Sequence, residues 1–221
     1  MLSVLASSDT SLRDSFAKIL AFEHVQDTPF ASVFRKANRI FITFNTPITP
    51  DHVSWIASEF LPDRLYLPFA SYAIDMVHEV GDVVVPNVFF SYDPTLKSAE
   101  LGEDNRDAFI ENPKFLTTFL EQKDYYVEDF GLSLGGIVVD NSPKDPSEDL
   151  APKMMMAYEG DIYTENSLSD AIKVVEDEEI PTVILCGIVR GKEHSKHKNV
   201  DPYELAVRNI LTACKLLEDE E

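Results

Sequence analysis

The sequence predicts an α/β protein of three layers (α/β/α), in which helices cover both faces of a mixed central sheet. Apolar strands alternate with amphipathic helices at both ends of the 221-residue chain, and the middle is richer in strand. The last strand is continuously apolar, as expected of a strand that is covered on both faces. Hydrophobic residues make up 44% of the chain, which is enough for a sizeable core. We therefore expect one domain over residues 1–221.

The first half of the chain is predicted to hold three strands and two helices. The strands are the apolar runs 2–7, 39–44 and 63–70. The helix after the first strand has apolar residues at helical spacing, namely Leu12, Phe16, Ile19 and Leu20. Before the second helix, Thr49 can act as the cap and Pro50 fits the first helical position. The first two predicted strands are thus each followed by a helix, and the third strand follows the second helix.

The second half begins with strands and ends with the clearest helix. The predicted strands are a stretch at 81–94 that Pro86 bends, a glycine-broken pair at 130–140, and an apolar run at 180–191. The predicted helices are 112–122, 167–178 and 201–217, and residues 140–152 are predicted to be a mobile loop. In the last helix Asp201 caps, Pro202 takes the first position and Glu204 completes a capping box.

Charge and cysteine content exclude several classes of protein. The chain has 39 acidic and 19 basic residues, a net charge of −20, which disfavours binding to nucleic acid or to anionic membranes. It has no apolar run of about 18 residues that would span a bilayer, and no signal peptide. Cys186 and Cys214 both lie in apolar segments and are predicted to be core residues. We expect a cytoplasmic protein without nucleic-acid or membrane partners.

The common signatures of cofactor and metal sites are missing from the sequence. There is no P-loop, dinucleotide fingerprint, HExxH motif or Cys/His cluster. His194 and His197 are three residues apart in the basic segment 191–198, where a solvated loop is favoured over a metal site. Ser133 lacks the context of a nucleophile elbow. We therefore expect neither a cofactor nor a metal.

Three short motifs follow one another in a suggestive order. They are "VGDVV" at 80–84, "GLSLGG" at 131–136 and "AYEG" at 157–160, and an apolar strand and a terminal helix come after them. This succession resembles the purine and uridine phosphorylase and nucleosidase superfamily, which includes methylthioadenosine/S-adenosylhomocysteine nucleosidase. The resemblance implies a nucleoside phosphorylase-like fold whose sheet curls toward a barrel. It also implies a nucleoside ligand and, by analogy, a homo-oligomer.

The resemblance assigns roles to residues around the third motif. Glu159 matches the glutamate that accepts hydrogen bonds from ribose hydroxyls, and a carboxylate there stabilises the oxocarbenium character of the sugar during cleavage. Met156 and Tyr158 would form an apolar wall against the sugar or the base, and Gly135 would lie in the substrate pocket. The alternative for Glu159 is a helix cap or an exposed side chain.

Departures from the family pattern leave two functions open. The family's glycine-rich turn is replaced by "PFASYAID" at 68–75, and Arg190 stands near the place of the aspartate that protonates the leaving base. Arginine does not give up its proton, so Arg190 would face an anion or serve a changed mechanism. Asp9 is either the water-activating acid or a helix cap. The first hypothesis is thus binding of a purine nucleoside or related N-riboside and hydrolysis of its N-glycosidic bond, with phosphorolysis less favoured. The alternative is a catalytically inactive relative that acts as a binding or assembly module.

Overall fold

The structure of the protein is a computed structural model. The described residues are 1–21, 23–74, 78–91, 108–109, 126–127, 130–134, 137–140, 161–164, 180–191 and 199–219. Within them, 13 strands join in one mixed sheet. Helices pack on both of its faces, so the predicted three-layer α/β fold is confirmed.

The first half contains five strands and two helices. The strands are β1 (Ser3–Ser7), β2 (Glu23–Asp27), β3 (Ala31–Lys36), β4 (Arg39–Phe44) and β5 (Arg64–Ala73). The helices are α1 (Thr10–Leu20), which follows β1, and α2 (Pro50–Phe60), which follows β4. All three predicted strands and both predicted helices of this half are present.

The second half adds eight strands and one described helix. The first four strands are β6 (Val83–Val85), β7 (Val88–Ser91), β8 (Ala108–Phe109) and β9 (Tyr126–Val127). The others are β10 (Phe130–Leu134), β11 (Ile137–Asp140), β12 (Ile162–Tyr163) and β13 (Thr182–Arg190). Helix α3 (Pro202–Asp219) follows. The predictions for 112–122, 140–152 and 167–178 lie outside the described residues, apart from Asp140 at the end of β11.

Strand β5 is the centre of the sheet, because three strands pair with it. β1 and β13 run parallel to β5, whereas β12 runs antiparallel to it. The longest path through the sheet is β2-β3-β4-β1-β5-β12-β11-β7-β8, and β13 leads from β5 through β6 to β10 and β9. The sheet therefore branches at β5, and its predicted curling toward a barrel stays a prediction.

Each face of the sheet has its own hydrophobic core. Leu12 and Phe16 of α1 are completely buried on one face, together with apolar residues of α3. Val53 and Ile56 of α2 are completely buried on the other face. Burial of side chains of this size stabilises the fold by about 1.5–3 kcal/mol each. The apolar spacing seen in the sequence therefore decides which side of each helix is buried against the sheet.

The sequence analysis missed the hairpin of β2 and β3. Every residue of β2 is exposed, and its sequence "EHVQD" has only one apolar residue, so no alternating pattern marks it. β2 is at one end of the strand order and pairs with β3 alone. An exposed edge strand is held by its backbone hydrogen bonds, which leave little trace in the amino-acid pattern.

The "VGDVV" motif forms a turn that joins three elements. Gly81 has φ +102°, and a Cβ on it would lie 2.8 Å from Cδ2 of Leu205 in α3, so only glycine fits. Asn209 of α3 donates to the carbonyl oxygen of Gly81 at 2.7 Å. The carboxylate of Asp82 accepts from the backbone N–H of Gly131 in β10 at 2.8 Å. In the described residues this motif therefore has a structural role.

Candidate functional site

The order of elements points to the carboxyl end of β1 as the place for a site. β1 and β4 are parallel neighbours, but the helices that follow them cover opposite faces of the sheet. In open α/β sheets, ligands bind in the crevice outside the carboxyl ends of strands where the connections switch face. The first residues beyond β1 are therefore the first candidates, and Asp9 is among them.

The carboxylate of Asp9 binds three backbone N–H groups. Its Oδ1 accepts from Ser11 at 2.9 Å and from Leu12 at 3.2 Å, which caps α1. Its Oδ2 accepts from Ala70 of β5 at 2.8 Å. Asp9 is 7% exposed. The helix-cap alternative is thus observed, and the carboxylate also ties α1 to the central strand; its role as a base stays a prediction.

Asp9 lies beside a break in the strand pairing of β5. We call this break the β5 gap and define it as residues 67–71 on the edge of β5 that faces β1 and β12. β1 pairs with β5 up to Tyr66, and β12 pairs from Tyr72 onward. Both strands lie on the same edge, because β13 occupies the opposite edge over the whole length. At the β5 gap, side chains take the place of a neighbouring strand.

The side chains at the β5 gap satisfy the backbone groups that point into it. Ser7 Oγ donates to the carbonyl oxygen of Pro68 at 3.0 Å, and Thr164 Oγ1 donates to the carbonyl oxygen of Ala70 at 3.0 Å. The N–H of Ala70 binds Asp9. Pro68 has no N–H, which explains why a proline is tolerated inside a central strand at this point.

Two tyrosines and a cysteine lie around the β5 gap. The rings of Tyr72 and Tyr163 stack with centroids 5.0 Å apart, and both are more than nine-tenths buried. Cys186 of β13 is fully buried, and burial raises the pKa of its thiol to about 12. The thiol is therefore uncharged at neutral pH and packs as the small core residue that was predicted.

Arg190 is the last residue of β13 and lies at the same end of the sheet as Asp9. Its backbone is in register with Tyr72, and the register shifts between Ile188 and Arg190. Such an irregularity re-aims the side chains next to it. The side chain of Arg190 is exposed, on the opposite edge of β5 from Asp9.

Four of the predicted site residues lie outside the described residues. These are Met156, Tyr158, Glu159 and Gly135. The chain that carries Glu159 enters the described region at Asp161, whose carbonyl oxygen accepts from the N–H of Ile74 at 2.9 Å. The segment therefore arrives at the carboxyl end of β5. Of the six predicted residues, the structure places Asp9 and Arg190 at one end of the sheet.

Sequence reasoning missed Ser7, Thr164 and the tyrosine pair. The contacts of Ser7 and Thr164 with β5 span 61 and 94 residues of sequence. A serine that ends a strand and a threonine that follows one are common features without a signature of their own. The one available signal was Pro68, because a proline within a strand indicates a place where no neighbour pairs.

The described part of the chain has neither a metal-binding cluster nor a membrane-spanning helix. In that part, no group of three or more His, Cys, Asp or Glu side chains is arranged to hold a metal ion. None of the helices described there has the length and apolar character that crossing a bilayer requires.

Several nucleosidases are among the solved structures that are similar to this chain. 5′-Methylthioadenosine/S-adenosylhomocysteine nucleosidase from Campylobacter jejuni matches with a TM-score of 0.64 and 14% identity, over 100% of this chain and 98% of that one. The nucleosidase from Colwellia psychrerythraea, solved in complex with adenine, has a TM-score of 0.67 and 11% identity, over 99% and 95%. A futalosine hydrolase mutant from Helicobacter pylori has a TM-score of 0.63 and 12% identity, over 100% and 98%.

Comparisons at the level of sequence find no relative. No protein-family model matches the chain, and no curated protein matches it. At identities of 11–14% the structural likeness establishes the fold. The chain has the nucleoside phosphorylase-like fold, as the order of its motifs predicted.

Proposed function

We propose that the protein, which has the fold of the nucleosidases, binds a purine nucleoside or a related N-riboside and hydrolyses its N-glycosidic bond. The observation that carries the proposal is the fixed carboxylate of Asp9 at the carboxyl end of β1. The neighbour from Colwellia psychrerythraea holds adenine, which is the base that such a reaction releases. We further expect a cytoplasmic homo-oligomer.

The proposed reaction exchanges one bond at the anomeric carbon. Water forms a C1′–O bond and loses a proton, while the C1′–N bond breaks and the base gains a proton. Positive charge develops on the sugar during this exchange, so a nearby carboxylate stabilises the transition state. Asp9 would accept the proton of the attacking water. Its three backbone donors hold the carboxylate in one place.

The substrate contacts in the proposal come from the sequence resemblance. Glu159 accepts hydrogen bonds from the ribose hydroxyls, Tyr158 and Met156 pack on the ligand, and Gly135 lines the pocket. Arg190 faces an anionic group or stabilises the leaving base by its charge, because it does not release its proton. Water is favoured over phosphate as the acceptor, because the chain has few arginines that would hold phosphate.

A second function, a binding or assembly module without catalysis, is supported by the contacts of Asp9. Two of the three hydrogen bonds from backbone N–H groups to its carboxylate are those of an ordinary helix cap, and the third connects the start of α1 to β5. The replacement of the family's acid by the segment around Arg190 favours the same alternative. In this case the fold would be kept for nucleoside binding or for assembly.

Release of free base from adenosine, inosine and methylthioadenosine tests the enzyme. We expect release from at least one nucleoside, and a fall in kcat of about 100-fold or more in Asp9→Asn, because a general base contributes that much. Asparagine still caps a helix. Asp201→Asn is the matched control, because Asp201 caps α3 through the N–H groups of Tyr203 at 2.9 Å and Glu204 at 3.0 Å.

The outcome separates the two functions. If neither the wild type nor Glu159→Ala releases base from any nucleoside, the enzyme hypothesis is wrong. Calorimetric titration with the same nucleosides would then show whether binding survives. If Asp9→Asn and Asp201→Asn lower kcat equally, Asp9 serves as a cap alone.

A second pair of variants tests the sugar-binding carboxylate. Glu165 directly follows Thr164, which contacts the same residue of β5 as Asp9 does. Under the proposal, Glu159→Gln raises KM strongly, and Glu165→Gln changes it less. The reverse order would move the sugar-binding role from Glu159 to Glu165 and leave the proposed reaction intact.

A further inference from the structure

We infer that Thr164 is a positioning residue, which acts through Ala70 to hold the carboxylate of Asp9 in place. The predicted effect of Thr164 on kcat rests on the proposed function, whereas its predicted effect on the position of Asp9 does not. No part of the sequence resemblance assigns a role to Thr164.

The inference follows from two hydrogen bonds to one residue. Thr164 Oγ1 donates to the carbonyl oxygen of Ala70 at 3.0 Å, and the N–H of Ala70 donates to Asp9 Oδ2 at 2.8 Å. All three residues are buried, and Thr164 has no exposed surface. Both polar groups of Ala70 therefore point to the same edge of β5 and are held there by side chains.

Ala70 depends on these side chains because none of the described strands pairs with it on this edge. It lies within the β5 gap, between the last residue paired with β1 and the first paired with β12. On the other edge it lies opposite Gly187 of β13. Without the Thr164 hydroxyl, the buried carbonyl oxygen loses this donor, which is unfavourable. The backbone then relaxes, and the N–H of Ala70 moves relative to Asp9.

Such a movement affects catalysis more than binding. A general base must sit within hydrogen-bond reach of the water that it activates, and small displacements lower the rate steeply. We expect Thr164→Val, which keeps the shape and removes the hydroxyl, to lower kcat about 10-fold and to change KM less than about twofold. Thr164→Ser keeps the hydroxyl and should restore kcat.

Thr182 offers a matched control at the opposite end of the sheet. Thr182 Oγ1 donates to the carbonyl oxygen of Ile180 at 2.9 Å, and Thr182 is 4% exposed. Thr182→Val therefore also removes a hydrogen bond from a threonine hydroxyl to a backbone carbonyl oxygen, here a partly buried one at the start of β13. A merely structural role for Thr164 predicts the same kinetics in Thr164→Val and Thr182→Val.

Amide hydrogen exchange of Ala70, followed by NMR in the full chain, tests the structural step without any substrate. We expect exchange at Ala70 to be about 10-fold faster in Thr164→Val than in wild type, and unchanged in Thr182→Val and Thr164→Ser. Unchanged exchange in Thr164→Val would overturn the inference. If the wild type releases no base, the proposed function fails, and the exchange at Ala70 still decides whether Thr164 positions Asp9.

Discussion

Two polar clusters occupy opposite ends of the central strands, and their charged groups have different hydrogen-bond partners. The carboxyl-end cluster consists of Ser7, Asp9 and Thr164. The amino-end cluster consists of Arg39, Arg64 and Glu218, below the last turn of α3. Both clusters serve the end of a helix, but the carboxylate in the first binds neutral backbone donors, whereas charges of opposite sign meet in the second.

The amino-end cluster has the contacts expected of a structural support. Arg64 is 3% exposed and donates to the carbonyl oxygen of Leu217 in the last turn of α3, where backbone acceptors lack partners within the helix. Arg39 forms an ion pair with Glu218 at 2.5 Å. Burial raises the pKa of Tyr66 and of Cys214 above their usual ranges, so both stay uncharged.

The two clusters indicate that residues that stabilise the fold and residues that could act on a ligand lie at opposite ends of the sheet. At the amino end, Arg39 and Glu218 form an ion pair and Arg64 binds a carbonyl oxygen of α3, which suits a permanent support. At the carboxyl end, backbone N–H groups hold the carboxylate of Asp9, beside the place where the connections switch from one face of the sheet to the other. We therefore expect substitutions at the amino end to change stability and those at the carboxyl end to change function.

The largest stability effect is predicted for Arg64→Met. Removing the guanidinium leaves a buried carbonyl oxygen of α3 without its donor, and we expect a loss of about 3 kcal/mol in the free energy of unfolding. Urea unfolding monitored by circular dichroism measures it. Arg208→Met is the control, because this arginine of α3 is exposed and should cost less than about 0.5 kcal/mol. Equal losses in the two variants would contradict a supporting role of the amino-end cluster.

A smaller change in the free energy of unfolding is predicted when the pH is lowered, because His52 forms part of the N-terminal cap of α2. Its Nδ1 accepts from the backbone N–H of Thr49 at 3.1 Å, and its ring stacks on Phe44 with centroids 4.4 Å apart. Burial lowers the pKa of His52 below its ordinary value of 6.5, and the nearby Asp51 opposes this. Protonation would turn Nδ1 into a donor and break the contact with Thr49.

The sign of the pH dependence follows from the lowered pKa. Below about pH 6.5 the unfolded chain binds more protons at this histidine than the folded chain does, so this contribution is complete above that pH and is lost as the pH falls. The loss is bounded by the value of one helix cap, about 1 kcal/mol. Urea unfolding between pH 7.5 and 5.5 measures it.

Two variants check the assignment to His52. Glutamine at this position of a helix still accepts from the cap residue and does not titrate, so His52→Gln should reduce the decline of stability at low pH. His24→Gln, on the exposed strand β2, should leave the decline in place. An equal decline in wild type and His52→Gln would show that another group is responsible.

The smallest effect is predicted for the ion pair between Lys18 of α1 and Glu204 of α3. The lysine side chain is 70% exposed, so Lys18→Met should cost at most about 0.5 kcal/mol, and less at high salt. Arg39→Met should cost about 1 kcal/mol more, because its partner Glu218 is only 11% exposed. Equal costs would remove the distinction between a buried charge pair and a surface pair.

Local patterns in the sequence predicted the helices and strands well where burial of one side gives the apolar residues a regular spacing. Helix α3 begins with the cap at Asp201 and the proline after it, and Cys214, which was predicted to be a core residue, is fully buried in it. The carboxylate of Glu204 contacts Lys18 instead of closing the predicted capping box. The hairpin of β2 and β3 was missed, because an exposed strand has no apolar period.

The sequence by itself determined the three-layer class, the helix faces and the order of motifs that indicated the nucleoside phosphorylase-like fold. These depend on local spacing and on turn residues, which can be read along the chain. Only the tertiary structure decided that β1 and β12 share one edge of β5 and leave the β5 gap between them. Contacts across 61 and 94 residues close that gap, and side-chain hydrogen bonds between distant segments have no period from which they could be predicted.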